Sequence, residues 1–318
     1  MISLCVPACV HLPSSHRALL DDAVNAYGET LLGPFTEDHN TASGQLWTPI
    51  VSSCDVLLEV NLPNAKDVPV LKLELTSVNV GYRGFGSGAG AQSGSCNVDV
   101  VCSASDGSEY APIDAWRDEI PSVAVISTGG STFCTGSMLN NANNDRTPYF
   151  LTAKHCSINA GNAASLVTYW KYETTTCQGP TNGQLNYFLT GGATHLVSNL
   201  ASDMTLVRLE TTVPDAWFQD GIVSFAGWDR RGLEATQAIA IHHPSTDEKR
   251  ISFENQPTTT SSYGGSPGSG DTHVRVADWD MGTTEPGSSG SPLFNQDHRV
   301  IGQLHGGGAA CGNNQPDW

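Results

Sequence analysis

The run Thr284-Glu285-Pro286-Gly287-Ser288-Ser289-Gly290-Ser291-Pro292 sets one serine in a turn between glycines. Glycine permits a sharp chain reversal and lets another backbone come close. In such a turn the N–H groups of Gly287 and Ser289 can point together at one developing oxyanion. Ser289 is therefore a candidate nucleophile, and a serine nucleophile needs a base to take its proton. Histidine suits that work, because its ordinary pKa lies near neutrality. One histidine ends an apolar strand pattern in Leu151-Thr152-Ala153-Lys154-His155-Cys156. An imidazole base in turn needs a buried carboxylate to fix its tautomer and balance its charge. Asp203, heading the alternating run Met204–Leu209, can supply one. Taken singly, each has a plainer reading: a surface turn, an ordinary histidine, a turn aspartate. Taken together, in the order His155, Asp203, Ser289, they favour acyl-transfer chemistry.

Such residues must be held by a scaffold, and the composition points to an all-β one. The chain has 318 residues, 33 of them glycine, with only 15% charged. Short Val/Thr/Ser-rich runs recur between turn residues, a strand pattern. The length predicts about two domains. Residues 1–83 form one compositional block. Within it Ser15–Tyr27 reads as a short helix, and LWTPI, DVLLEVNLP and VPVLKLELTSVNVGY read as strands. Residues 84–95, GFGSGAGAQSGS, hold nothing that packs and read as a linker. From Cys96 to Trp318 the strand candidates are SVAVIST, TFCTGSML, PYFLTA, ASLVTYWKY, MTLVRLE, IVSFAGW, QAIAIHH, KRISFE, HVRVADWD and RVIGQLH. PLFN, just after the serine turn, reads the same way. Short strands at this spacing indicate barrels or a sandwich.

The formal charge is −17, from 32 acidic and 15 basic residues. Without a basic cluster, nucleic acid is excluded as a partner. The acidity is read as a solvated surface rather than a steering device. No apolar run approaches the roughly 20 residues that span a bilayer. There are nine cysteines, none in a C-x-x-C pair, so a zinc ribbon is not expected. Six follow residue 95, a number that suits three disulfides in an oxidising compartment. Cys5, Cys9 and Cys54 cannot be paired from sequence. The first residues lack the basic segment and cleavage site of a signal peptide.

With these strings in place, TAKHC, SDMTLVRL and GSSGSP resemble the His, Asp and Ser motifs of trypsin-like serine proteases of the chymotrypsin fold. More closely, residues 93–318 resemble the bacterial lysyl endopeptidase family. The shared strings are SGSCNVDVVC, FCTGSMLNN, YFLTAKHC, AGWDRR, AIHHPSTDEKRIS, TEPGSSGSP and VIGQLHGG. The resemblance implies a two-barrel all-β protease domain over 96–318, preceded by a small β-rich propeptide-like domain. It implies His155 as general base, Asp203 as its orienter, Ser289 as nucleophile, and the Gly287 and Ser289 amides as the oxyanion hole. It also implies bridges Cys96–Cys311, Cys102–Cys177 and Cys134–Cys156.

For specificity, the resemblance sets Asp317 at the pocket floor and His305 with Gly306 at its entrance. Tyr263 stands where lysine-specific relatives carry Trp against that histidine. Cleavage after Lys is expected first, Arg second and, if His305 binds a carboxylate instead, Glu third. A non-catalytic homologue that binds peptides or serves as an adhesin is the alternative of another class. The expected partners are protein and peptide substrates, met by a secreted monomer with no cofactor and no metal. His242-His243 is read as structural, since neighbours on a strand face opposite ways. Lys154 is assigned no chemistry.

Ser288 occupies the position where many trypsin-like zymogens carry the aspartate that pairs with a new amino terminus, so that switch is not expected. Residues 1–83 are read as a propeptide, or else as a retained accessory domain. The linker holds no Lys or Arg, with Arg83 the nearest, so self-cleavage there is not expected. The fold normally continues past the pocket acid into a closing strand and helix. An open-walled pocket is therefore expected for the chain as given.

Overall fold

The computed structural model describes residues 2–6, 32–33, 35–36, 39–51, 58, 60–62, 64–70, 74–80 and 93–318. The expected helix Ser15–Tyr27, Cys9, Cys54, most of the DVLLEVNLP strand and residues 84–92 lie outside them.

Strands β1 (Ile2–Val6), β2 (Leu46–Val51) and β3 (Ser77–Val80) form a small sheet in the order β2-β1-β3. The strand expected from Val68 onward starts later, because Ala65–Val70 is a 3₁₀ turn with Pro69 inside it. Proline lacks the N–H that a sheet ladder needs.

The remaining strands, in chain order, form two larger sheets and a separate two-stranded pair. They are β4 (Val98–Asp99), β5 (Val123–Thr128), β6 (Thr132–Leu139), β7 (Tyr149–Ala153) and β8 (Val167–Trp170). Next come β9 (Tyr187–Leu189), β10 (Ala193–Asn199), β11 (Met204–Leu209), β12 (Gly227–Trp228) and β13 (Ala238–His242). Last are β14 (Arg250–Glu254), β15 (Thr259–Ser261), β16 (His273–Arg275), β17 (Pro292–Asn295) and β18 (Arg299–Gln303). One sheet has the order β10-β11-β7-β6-β5-β8-β9, the other β12-β18-β17-β13-β14-β4, and β15 with β16 forms the separate pair. Residues 93–318 are thus mostly β, built on two large sheets, in keeping with the all-β reading.

Strand alternation explains the cores. In β5, Ala124 and Ile126 face the core of their own sheet, with Phe150, Trp170 and Val207. Val125 faces the other way, toward Val167, Tyr169 and Ile50 of the amino-terminal sheet. The Ile50 N–H also donates to the Tyr169 hydroxyl at 3.2 Å. Every β5 residue is buried because both faces are covered. The second core centres on Ile239, Ile241, Ile251 and Phe294, with Trp116 against Phe294.

One expected strand, IVSFAGW, is reduced to two residues. Ala226 instead bridges to Leu139 in the first sheet, while Gly227 and Trp228 pair in parallel with β18 of the second. A segment that crosses between sheets cannot extend far in either. Ser93 and Gly94, at the end of the expected linker, are anchored to side chains of the second half. Ser93 donates N–H and O–H to Asp247 Oδ2 (3.0 and 2.7 Å), and Gly94 N–H donates to Glu285 (2.9 Å).

Three disulfides join Cys96–Cys311, Cys102–Cys177 and Cys134–Cys156. The last pins β6 to the turn after β7 that carries His155.

His242 and His243, at the end of β13, are both fully buried and face different neighbours. His242 contacts Ser288 and Ser252, whereas His243 donates Nδ1–H to the Asp247 carbonyl and stacks on Tyr172. Burial pushes His242 down to about 3 and holds His243 well below its ordinary value. In the unfolded chain both titrate near pH 6.5, so below that pH the unfolded state binds more protons. Stability is full above pH 6.5 and falls as the pH drops below it, by up to roughly 1.4 kcal/mol per pH unit for each imidazole. Denaturant melts between pH 7 and 4 should show this loss. An unchanged midpoint would contradict it.

Candidate active site

The candidate residues sit where the two sheets meet. β7 ends in the 3₁₀ turn Lys154–Cys156, and β11, its antiparallel neighbour, begins just after Asp203. Asp203 lies in the left-handed region (φ 51°) and is 3% exposed. It grips the histidine turn at three points. Its Oδ1 accepts the His155 N–H at 3.0 Å, and its Oδ2 lies 2.6 Å from His155 Nδ1. Its carbonyl accepts the Lys154 N–H at 2.6 Å and the Gln303 amide at 2.9 Å. The carboxylate thereby dictates the tautomer, with the proton on Nδ1 and a free lone pair on Nε2.

The Ser289 turn approaches from the second sheet. Thr135 of β6 donates N–H to the Ser289 carbonyl (2.8 Å), and its hydroxyl donates to the Gly287 carbonyl (2.9 Å). The Glu285, Pro286 and Ser288 carbonyls are taken by the N–H groups of Ser288, Ser245 and Ser291 (2.9, 2.6 and 2.9 Å). Five consecutive carbonyls are thus fixed, while the Gly287 and Ser289 amides have no intramolecular partner among the described residues. Gly287 has φ 100°, a conformation open to glycine, and an added Cβ would lie 2.9 Å from the Thr246 nitrogen. No hydrogen bond joins Ser289 Oγ to His155 Nε2 in this structure. In unliganded sites such contacts are often long.

Beside His155 stands a row of rings. His305 stacks at 5.5 Å from His155, with its Nε2 3.7 Å from Asp203 Oδ2. Tyr263 covers His305 at 3.8 Å and 18°, and His273 Nε2 lies 3.1 Å from His305 Nδ1. Burial pushes both His305 and His273 below the ordinary histidine value. His155, Asp203 and His305 bring possible ligand atoms within 4.8 Å of one another. Asp203 Oδ2 is, however, already committed to His155 Nδ1. Cys134 and Cys156, also close, are disulfide-bonded.

Asp317 is 2% exposed, and its Oδ2 accepts from the Thr284 hydroxyl (2.5 Å) and the Trp279 indole (2.8 Å). Burial pushes its carboxyl up, against the pull of those two bonds. Its backbone pairs with Val276 and Gly307, and the Trp318 carbonyl accepts from His305 N–H at 2.8 Å. Gly307 has no room for a side chain, since a Cβ would fall 2.6 Å from Asp317 Cα. Gly306 (φ 145°) lies beneath the Tyr263 hydroxyl. A cavity of about 590 Å³ opens here, lined by Asp317, Thr284, Trp279, Ser291, Leu304 and Val276 among others. Thr135, Thr284, Trp279 and His273 were not legible as site residues. Thr135 in particular looks like any strand threonine.

Gly290 (φ 82°) lies against the first sheet, where a Cβ would stand 2.7 Å from the Ala153 nitrogen. Gly290→Ala is expected to cost at least about 1–3 kcal/mol through backbone strain alone. Thermal melts read this, and a midpoint equal to the parent would contradict the packing described.

Residues 90–318 match the family model described as "Lysyl endopeptidase, C-terminal domain". A lysyl endopeptidase of Pseudomonas aeruginosa is 32% identical over 287 residues, taking in 84% of this chain. The chain spans 58% of that relative's length. Among solved structures, a thermostable serine protease, AL20, from an extremophilic microorganism is 16% identical. The match covers 63% of this chain and 90% of that one, with a TM-score of 0.41. Deg5 is 12% identical over 66% of this chain and 88% of that one, with a TM-score of 0.42. On the family match, which takes in more than two thirds of its residues, the chain belongs to the lysyl endopeptidase C-terminal domain family.

Proposed function

We propose that the protein is a secreted serine endopeptidase that cuts after lysine, with arginine second. The observation that carries this reading is the 2.6 Å contact between His155 Nδ1 and Asp203 Oδ2, which leaves Nε2 as a base. His155 Nε2 takes the Ser289 proton as Oγ attacks the scissile carbonyl carbon. The Asp203 carboxylate balances the imidazolium. The carbonyl oxygen, now an oxyanion, is received by the Gly287 and Ser289 N–H groups. His155 then hands its proton to the departing amine as the C–N bond breaks. Water, deprotonated by the same imidazole, releases the acyl group from Ser289.

Lysine specificity is supported by two groups at the pocket. Asp317 is a buried carboxylate suited to an ammonium or guanidinium. Burial pushes His305 down, toward the neutral form, which offers little to a glutamate. The relative's name, lysyl endopeptidase, agrees. Secretion is supported by the three disulfides, which persist in oxidising compartments. Among the described residues no helix is long and apolar enough to cross a membrane. The block 1–83 is assigned a propeptide role. Its Trp47 and Ile50 pack against Val125 of β5 and Tyr169 of β8.

Ser289→Ala is expected to abolish the triad's contribution, leaving ~10³–10⁴-fold over water from binding and the oxyanion hole. Cleavage at the parent rate would refute the assignment. Asp317→Asn should lower kcat/KM on lysyl peptides by about 10²–10³-fold, chiefly through KM. A peptide-library profile reads the preference, and dominant cleavage after Glu would overturn the lysine reading.

A further inference from the structure

Ser288 is fully buried, uncharged, and directly precedes the proposed nucleophile. Its surroundings define a single direction of hydrogen bonding. Ser252 Oγ donates to the Thr283 carbonyl at 2.7 Å, so it must accept from His242 Nε2 at 3.0 Å. Neutral imidazole carries one N–H and one lone pair. With Nε2 protonated, Nδ1 accepts the Ser288 O–H at 2.8 Å. Ser288 Oγ in turn accepts the Glu285 N–H at 3.2 Å. Every ring nitrogen and hydroxyl in this chain has a defined role. Burial, which pushes His242 down to about 3, favours the neutral ring near neutral pH.

We propose that this neutral chain, Glu285–Ser288–His242–Ser252–Thr283, holds the oxyanion loop in its working shape. His242 and Ser288 are then positioning residues, in an inference that rests on the reading of Ser289 as nucleophile. The chain fixes the residue between Gly287 and Ser289, whose amides are the two left without intramolecular partners. Thr135 and Ser245 hold the neighbouring carbonyls, so the Gly287 peptide has no alternative bonding to turn toward.

The same loop is tied to the start of the protease domain without a charged terminus. Glu285 accepts the Gly94 N–H and the Asn97 side-chain amide, and also the Ser245 hydroxyl. A peptide N–H is present whether or not the chain is cut upstream. The oxyanion loop is therefore assembled before any processing in residues 84–92. Activation by removal of the amino-terminal block must act on something other than this loop.

The test uses the full chain and a lysyl peptide substrate, with the melting temperature measured for each variant. Ser288→Ala removes one link and is expected to lower kcat about 10–100-fold by loosening the oxyanion donors. KM should stay within roughly twofold, because the specificity pocket is untouched. Ser288→Thr restores the hydroxyl and should return kcat to within about threefold of the parent. Ser252→Ala, at the far end, should lower kcat in the same direction by freeing the His242 tautomer. Parent kcat in Ser288→Ala would overturn the inference. So would a loss in Ser288→Ala that tracks only the lost melting temperature and is not recovered by threonine. If Ser289→Ala is dead while Ser288→Ala matches the parent, only the loop device fails. If cleavage survives Ser289→Ala, the nucleophile reading fails with it.

Discussion

The hold of Asp203 on His155 is the constraint from which the rest of the site follows. One carboxylate takes the backbone N–H and Nδ1 of the same histidine, so ring and main chain are set together. That grip is possible only because β7 and β11 are antiparallel neighbours whose register brings the end of one strand to the start of the other. It also needs the left-handed backbone at Asp203, which turns the carboxylate inward while the carbonyl receives Lys154 and Gln303. Gln303 belongs to β18, so the aspartate touches both sheets. Burial keeps water from competing for the carboxylate, which strengthens the interaction.

The second sheet supplies the other half by a different logic. Where Asp203 acts through charge, the serine turn is shaped almost wholly by neutral hydrogen bonds. Its carbonyls are each occupied and two amides are left over, a local concentration of positive dipoles that needs no ionised group. Thr135 lies at the seam and ties the serine turn to β6, while the Cys134–Cys156 disulfide holds β6 against the histidine turn within the first sheet. Beside them Tyr263, His305 and His155 form a stacked row.

Much of this was legible in the sequence, for identifiable reasons. Strands such as VAVIST and TFCTGSML are short apolar and Val/Thr/Ser-rich runs bounded by turn residues, and they appear at nearly the read bounds. Glycines at 287 and 290 marked the turn because their backbone conformations exclude other residues. Other features have no local signal. The edge strand β10 is polar and exposed, so it lacks the apolar pattern that reveals a strand. IVSFAGW looks like a strand yet serves as a crossing, a role fixed by distant partners. Thr135, Ser252 and Thr284 become site residues only through contacts made across the fold. Ser93 and Gly94 read as spacer by composition, yet they bond to Asp247 and Glu285, acids more than 150 positions away.

The central claim is that an imidazole, a hydroxyl, two amides and a distant carboxylate act on one substrate. A crystal structure after reaction with a peptidyl phosphonate bearing a lysine side chain tests it most directly. The expected result is phosphorus bonded to Ser289 Oγ, a phosphonyl oxygen held by the Gly287 and Ser289 N–H groups, and the ammonium at Asp317. A phosphonate on another residue, or an ammonium lodged away from Asp317, would contradict it.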